Sequence, residues 1–384
     1  MVRFISLIGI VDLFGDTTYS GGAAINGMFL ASLGASAAAI SITGGASEFL
    51  NYLTRGLSGF IADRIKNHWS IVFIGYIFNL LAVPAIALTG HWQAAALLIL
   101  IQGLGRGARK PVIQSMLSFT TGVYGRGWVY GLHTALDYTG RALGPLVIAI
   151  TLLFTDKFRT GYGLLLIPAL LAFVFLTLAR VNYPFPSRLE LKPSATKTGF
   201  TKAYWYYYAA GIFFAAGLTN FELISFHLSE SGIAHQTVPF FLVLSTASGG
   251  IVSLFLGRLY DKKGHSVVLA AVFLSALFSP FIFLFPANFA IAGILLWGVG
   301  QVTQDMLLSS VVASELPRDH RSLAFGLYYT GYGFGWLLGS IATGLLYEQS
   351  RLALVAFAAG TQILSLPFFV LGHRRSMRGG RVIR

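Results

Sequence analysis

The sequence predicts an all-α membrane protein of twelve transmembrane helices, arranged as two pseudo-symmetric bundles of six. Of the 384 residues, 55% are hydrophobic and only 11% are charged. A soluble domain carries about 25% charged residues, so this composition excludes a water-soluble globule. Apolar stretches of a length that spans a bilayer recur along the whole chain, and a charged loop between two of them is repeated in the second half.

Twelve apolar stretches can be read in order along the chain. They cover residues 4–30, 36–62, 69–88, 92–118, 127–153, 160–180, 204–229, 236–258, 266–286, 288–314, 322–346 and 351–372. The only long polar connection follows the sixth stretch. We therefore expect an N-terminal bundle at 1–180, a linker at 181–203, a C-terminal bundle at 204–372 and a basic tail at 373–384.

The net charge of +13 is explained by its distribution along the chain. With both termini in the cytoplasm, nineteen Lys and Arg residues fall in inner segments and three in outer loops, namely Lys157, Arg159 and Arg351. This bias predicts a multi-pass protein of the cell (inner) membrane with both termini cytoplasmic. The basic excess then contacts anionic lipid heads, and we expect no nucleic-acid partner.

The second half of the chain echoes the first. The loop residues Gly59, Asp63 and Arg64 return as Gly257, Asp261 and Lys262, and glycines on later spans recur at a shift near 195. This pattern predicts two halves related by an axis along the membrane normal. An Asp at an inner helix end can accept bonds from the amides of a neighbouring helix terminus, which contributes roughly 0.3–2 kcal/mol. These six residues are therefore expected to form a conformational latch.

Ionisable residues lie inside the predicted spans, where each would cost about 3 kcal/mol if it faced lipid. They must pair or line a wet cavity. The eleven residues are Asp12, Asp16, Glu48, Arg55, Arg106, Arg109, Lys110, Asp137, Arg141, Glu222 and Asp305.

Spacing along the spans suggests how these residues are arranged. Asp12 and Asp16 share one face of span 1, and Asp137 and Arg141 share one face of span 5. On span 4, one face carries the cations Arg106, Arg109 and Lys110. Their depths agree to within a few ångströms at about 1.5 Å of rise per residue, which predicts a charged layer in the inner half of the first bundle.

Two acidic residues of the second half stand apart. Glu222 lies nearer the outer side without an obvious basic partner in its half, and we expect it to titrate. Asp305 occupies the position that matches Lys110 in the repeat, so the two are expected to close a gate. If so, exchanging their charges should restore a function that each single mutation removes.

Twelve spans, a central loop and the doubled G-x-x-x-D-[RK] loop resemble the major facilitator superfamily, in its drug and metabolite antiporter-like branch. The resemblance implies a cavity lined by spans 1, 4, 7 and 10, and alternating access of the two halves. In span 5, Gly131, Gly140, Gly144 and Pro145 have the spacing of the superfamily's antiporter motif, which implies close helix packing. His133 and His227 are too isolated to indicate a metal site.

The sequence thus predicts a secondary active transporter, with proton-coupled efflux of small amphipathic molecules as the leading function. The alternative is uptake or exchange of a small organic anion bound by Arg106, Arg109 and Lys110, and metal-ion transport by Asp12, Asp16 and Glu222 is a third. We expect a monomer that uses the proton gradient and no cofactor. A receptor or scaffold would not need so many buried charges, and no set of residues suggests an enzyme.

Overall fold

A computed structural model describes residues 2–65, 68–118, 126–184, 201–304 and 321–379. Over these ranges the regular structure is entirely helical. We call the side on which Val2 lies the inner side, and the opposite side is the outer side. That the inner side is cytoplasmic remains a prediction from the charge distribution.

Twelve long helices follow one another in the described ranges, as the apolar stretches predicted. They are α1 (Val2–Ser32), α2 (Ala37–Ile65), α3 (His68–Leu88), α4 (Trp92–Ser118), α5 (Arg126–Thr155), α6 (Phe158–Asn182), α7 (Lys202–Glu230), α8 (Val238–Lys263), α9 (His265–Phe283), α10 (Ala287–Val302), α11 (Arg321–Gln349) and α12 (Arg351–Gly379). The last helix runs further than predicted, and the predicted end of the tenth span at 314 lies outside the described residues.

Seven of these helices are long and apolar enough to cross a membrane when judged by length and composition: α3, α5, α6, α7, α8, α9 and α12. The others described at comparable length, α1, α2, α4 and α11, are less apolar.

Glycines set the closest helix contacts, and they do so equivalently in the two halves. A Cβ atom on Gly140 or Gly144 of α5 would overlap backbone carbonyl oxygens of α1. A Cβ atom on Gly335 or Gly339 of α11 would overlap those of α7 in the same way. The structure therefore has two pseudo-symmetric six-helix bundles, in which corresponding glycines allow corresponding backbones to touch. The other two residues of the predicted motif, Gly131 and Pro145, also belong to α5.

The helix α7 is interrupted near its middle. Its inner half ends at Gly217, and its outer half begins at Phe221. Asn220 caps the outer half, because its Oδ1 accepts a hydrogen bond of 3.0 Å from the backbone N–H of Leu223. The break leaves the carbonyl oxygen of Thr219 without a helical partner, and the indole N–H of Trp297 donates to it at 2.8 Å.

The predicted latch lies at the inner ends of α2 and α8. Gly59, Asp63 and Arg64 belong to the last turns of α2, and Gly257, Asp261 and Lys262 to the last turns of α8. The side chains of Asp63, Arg64 and Asp261 lie outside the described part of the structure. Their contacts, and hence the latch, stay a prediction.

Candidate functional site

A cavity of about 140 Å³ lies between the two halves. Eight helices contribute to its wall: α1, α2, α4, α5, α7, α8, α10 with its continuation, and α11. Its charged lining residues are Asp16, Glu48, Arg55, Arg106, Lys110, Arg141 and Glu222, and its aromatic ones are Tyr19, Tyr52, Tyr138, Phe221, Trp297 and Trp336. The resemblance implied a lining from four spans, whereas the described wall is formed by eight helices.

Beside the cavity, α1 and α4 are joined through Arg109. Its guanidinium is completely buried, contacts Asp12 through Nη1, and lies 2.8 Å from Asp16 Oδ1 through Nη2. Asp12 also accepts a hydrogen bond of 2.6 Å from the hydroxyl of Tyr76. His133 Nε2 lies 2.6 Å from the other Asp12 oxygen. The carboxylate of Asp12 thus has three partners from three helices.

The ion-pair network continues from Asp16 to α5. Asp16 Oδ2 lies 3.9 Å from Lys110 Nζ and 3.4 Å from Arg141 Nε. Asp137 Oδ2 completes the set at 3.2 Å from Lys110 and 3.1 Å from Arg141. Together with Asp12 and Arg109, the network holds three carboxylates and three cations, so its charges balance. The structure therefore brings these six predicted residues into one layer.

The cations of α4 do not share one face in the way the sequence suggested. Arg106 lines the cavity and pairs with Glu48 of α2 at 2.6 Å, with its guanidinium 4.3 Å from the ring centroid of Tyr19. Lys110 also lines the cavity, whereas Arg109 does not. The physical reason is that each cation turns toward the nearest carboxylate, and these carboxylates lie on different helices. The three cations therefore do not form a common anion site.

Glu222 lines the cavity just after the break in α7. Its Oε2 lies against Gly44 of α2, and the side chain of Asn26 lies beside it. Asn26 in turn accepts a bond of 2.8 Å from the hydroxyl of Tyr162. Among the described residues, no Lys or Arg nitrogen lies within 4 Å of this carboxylate.

Asp305 falls outside the described residues, so its predicted gate with Lys110 stays a prediction. Lys110 has its partners within the first bundle, Asp16 and Asp137. Within the described ranges, no three His, Cys, Asp or Glu residues are placed to hold a metal ion.

The sequence interpretation missed three participants. His133 was judged isolated, yet it contacts Asp12 from α5, one turn before Asp137. Tyr76 sits on α3, where nothing in the sequence singled it out. Arg55 received no role, although it follows Tyr52 by one turn of α2 and stacks on that ring. The i, i+3 and i, i+4 spacings could have indicated His133 and Arg55, whereas only the tertiary structure identifies Tyr76.

The outer side is closed where α2 meets α11 and the outer half of α7. Asn220 Nδ2 donates to the carbonyl oxygen of Ser41 at 2.8 Å and to the hydroxyl of Ser340 at 3.3 Å. Ser41 donates to the carbonyl oxygen of Ser340 at 2.7 Å. Nearer the outer surface, the backbone N–H of Ala38 donates to Glu348 at 3.0 Å. The break in α7 therefore places Asn220 where it joins both halves.

Comparison with known proteins agrees with this architecture. The sequence profile of the Major Facilitator Superfamily matches residues 5–340. An uncharacterized protein of Mycobacterium tuberculosis, Rv2265, is 29% identical over 373 residues, which cover 95% of this chain and 91% of the relative. An uncharacterized MFS-type transporter of Methanocaldococcus jannaschii, MJ1317, is 22% identical over 375 residues, covering 90% and 88%.

Two solved structures share the fold. The peptide transporter POT in complex with sulfate has a TM-score of 0.78 at 15% identity and covers 99% of this chain and 95% of its own. The nucleoside transporter NupG has a TM-score of 0.73 at 14% identity, with coverage of 96% and 98%. At these identities the likeness concerns the fold alone. With the profile match over most of its length, the chain belongs to the Major Facilitator Superfamily and is a multi-pass membrane transporter rather than an enzyme.

Proposed function

We propose that this protein is a proton-coupled exporter of small amphipathic molecules, with Glu222 as the group that exchanges a proton. The observation that carries the proposal is the contrast among the carboxylates of the cavity wall. Asp16 and Glu48 are held in ion pairs, so protonating either one breaks a pair. Protonating Glu222 breaks none, because no cation lies within 4 Å of it among the described residues.

The location of Glu222 supports coupling to the conformational cycle. It lies two residues after Asn220, which joins the two halves at the outer side, and it faces Gly44 on α2. A change of charge at Glu222 therefore acts next to the contact that must open during alternating access. A ligand or proton shifts such an equilibrium only through a difference in its interaction with the two states.

The cavity wall supports a cargo with both apolar and polar parts. Six aromatic side chains line it beside the ion pairs. The export direction follows the resemblance of α5 to the superfamily's antiporter motif, in which Gly140 and Gly144 pack closely on α1. The organic-anion alternative loses its original basis, because Arg109 is buried away from the cavity. The metal alternative loses support because Asp12 and Asp16 are both held in ion pairs with Arg109.

Infrared spectroscopy of the purified protein tests the proton site without knowledge of the cargo. We expect a carboxylic-acid C=O band that appears as the pH is lowered and is lost in Glu222→Gln. Glu230→Gln is the matched control, because Glu230 is an exposed glutamate at the outer end of the same helix.

The same variants are then compared in everted membrane vesicles, where export of a coupled cargo dissipates an imposed pH gradient. We expect the wild type and Glu230→Gln to respond to compounds of a small amphipathic panel, and Glu222→Gln to respond to none. If Glu222→Gln retains both the infrared band and the proton response, the proposal is wrong.

A further inference from the structure

Several hydrogen-bonding groups of the cavity wall have no partner among the residues that the structure describes. The donors are the indole N–H of Trp336 and the Nε–H of Arg106, and Gln304 Oε1 is an acceptor. Trp336 is only 4% exposed, so its N–H is shielded from bulk water. An unsatisfied buried donor is costly, and a bound ligand with acceptor atoms removes that cost.

Within the described part of the chain, Arg55 is the lining cation that has no carboxylate beside it. Arg106 pairs with Glu48, and Lys110 and Arg141 both pair with Asp137, whereas no carboxylate lies within 4 Å of Arg55 in the described ranges. Among the described residues, the charge of Arg55 is therefore not neutralised by a carboxylate. An anionic group that enters the cavity can form an ion pair with this guanidinium.

The guanidinium of Arg55 is also fixed in orientation before any ligand binds. Its Nε donates to Asn51 Oδ1 at 3.2 Å, one turn earlier on α2. Its Cζ atom lies 4.9 Å from the ring centroid of Tyr52 and 5.7 Å from that of Tyr329. A guanidinium held through Nε and against aromatic rings presents its two terminal nitrogens as a fork, the geometry that binds a carboxylate with two hydrogen bonds.

We propose that Arg55 binds a carboxylate of the cargo, so that the transported molecules are small organic acids with an apolar or aromatic body. The cavity of about 140 Å³ is close in size to the roughly 150 Å³ cavity that holds benzene. A body of that order packs against Tyr52, while Trp336 and the Nε–H of Arg106 serve further acceptor atoms of the cargo. Gln304 Oε1 takes a donor, such as a hydroxyl or amino group.

This inference rests on the proposed function, because it names the cargo of the same cavity. The two are nevertheless separable, since they depend on different residues. Glu222 exchanges the proton and Arg55 binds the anion. Either proposal can therefore be wrong while the other is right.

The test measures thermal unfolding of the purified full chain with matched probe pairs. The pairs are benzoate with benzamide, 4-hydroxybenzoate with 4-hydroxybenzamide, and lactate with lactamide, each titrated at constant ionic strength. We expect at least one acid to raise the unfolding midpoint while its amide does not. Arg55→Gln should weaken the apparent Kd about 10- to 100-fold, as expected for lost hydrogen bonds to a charged group.

Three further variants make the result specific. Arg55→Lys keeps the charge but loses the fork, so we expect an intermediate Kd. Arg375→Gln removes an exposed cation near the C-terminus and should bind as the wild type does. Glu222→Gln should still bind the acid while losing its proton response, which separates this inference from the proposed function. Unliganded midpoints of all variants show whether each one is folded.

Two results would overturn the inference. One is that no acid of the panel stabilises the wild type more than its amide does. The other is that an acid stabilises Arg55→Gln as strongly as the wild type, which would place the anion elsewhere. If proton responses to neutral or cationic compounds persist in either case, the proposed function survives without an acid as cargo.

Discussion

Arg109 and Asp16 form an ion pair of 2.8 Å inside the first bundle, with the two side chains 0% and 2% exposed. The same guanidinium also contacts Asp12, one turn earlier on α1. This arrangement makes Arg109 the cation that holds two buried carboxylates of α1 to α4. Its position behind the cavity wall indicates a role in bracing the bundle.

The first prediction is that Arg109→Met destabilises the protein by about 3–5 kcal/mol, because removing one partner leaves buried charges unpaired. Methionine keeps much of the length of the side chain, so the loss of charge dominates. The measurement is the unfolding of purified protein in detergent. Arg180→Met is the control, since Arg180 is an exposed arginine at the inner end of α6 and should change little.

A triple variant makes this prediction sharper. Adding Asp12→Asn and Asp16→Asn to Arg109→Met removes the unpaired charges, so much of the lost stability should return. If Arg109→Met unfolds at the wild-type midpoint, or the triple variant is no better than the single one, the bracing role is contradicted.

The second prediction concerns the partner of Lys110. Lys110 Nζ lies 3.2 Å from Asp137 Oδ2 on the neighbouring helix α5. Lys110→Asp should therefore lower the unfolding midpoint, because it places a carboxylate beside Asp16 and Asp137. The charge swap with Asp137→Lys should restore part of the loss, whereas the swap with Asp305→Lys should restore less. The readout is the unfolding midpoint of each double variant beside its single variants.

The opposite ranking would support the gate predicted from the repeat. In that case Lys110→Asp with Asp305→Lys would recover the unfolding midpoint, and transport in vesicles with it, whereas Lys110→Asp with Asp137→Lys would not. The comparison therefore decides between an ion pair within one bundle and a contact between the two halves.

The third prediction is that the outer contact between α2 and α11 must open during transport. The hydroxyl oxygens of Ser41 and Thr343 are 3.4 Å apart, and the chain contains no cysteine. The pair Ser41→Cys and Thr343→Cys should therefore form a disulfide under oxidation without any background reaction. We expect cross-linked protein to lose transport and to regain it after reduction, as measured in vesicles.

Each single cysteine variant provides the control, because it meets the same oxidant without a partner. Its transport should not respond to oxidation. If the cross-linked double variant transports at the full rate, this contact stays closed throughout the cycle and the prediction is wrong.

The charged layer shows how far spacing along a helix can predict a site. The four-residue spacings of Asp12 with Asp16 and of Asp137 with Arg141 placed these side chains on shared faces, and the structure brings them together. Their similar depth in the membrane was sufficient to predict the layer, because buried charges at one depth lower their free energy by pairing with one another. The spacing could not predict that Arg106 would turn to Glu48 instead.

Arg55 shows the limit of the same reasoning. From the sequence it was one cation among five inside the spans, with nothing to separate it from the others. Its distinction is that its neighbours Arg106 and Lys110 each reach a carboxylate, while it reaches Asn51 and Tyr52. Whether a charge is paired depends on residues far away in the chain, which no local pattern records.

The sequence by itself determined the class of this protein, its twelve helices and its two-fold repeat. These follow from composition, apolar length and the periodic return of glycines, which are properties of single segments or of their order. Only the tertiary structure decided which charges are paired, that Arg109 is buried behind the cavity, and that Glu222 and Arg55 face it. The physical reason is that pairing and exposure depend on how the helices pack against one another, and that packing is set by contacts between segments distant in sequence.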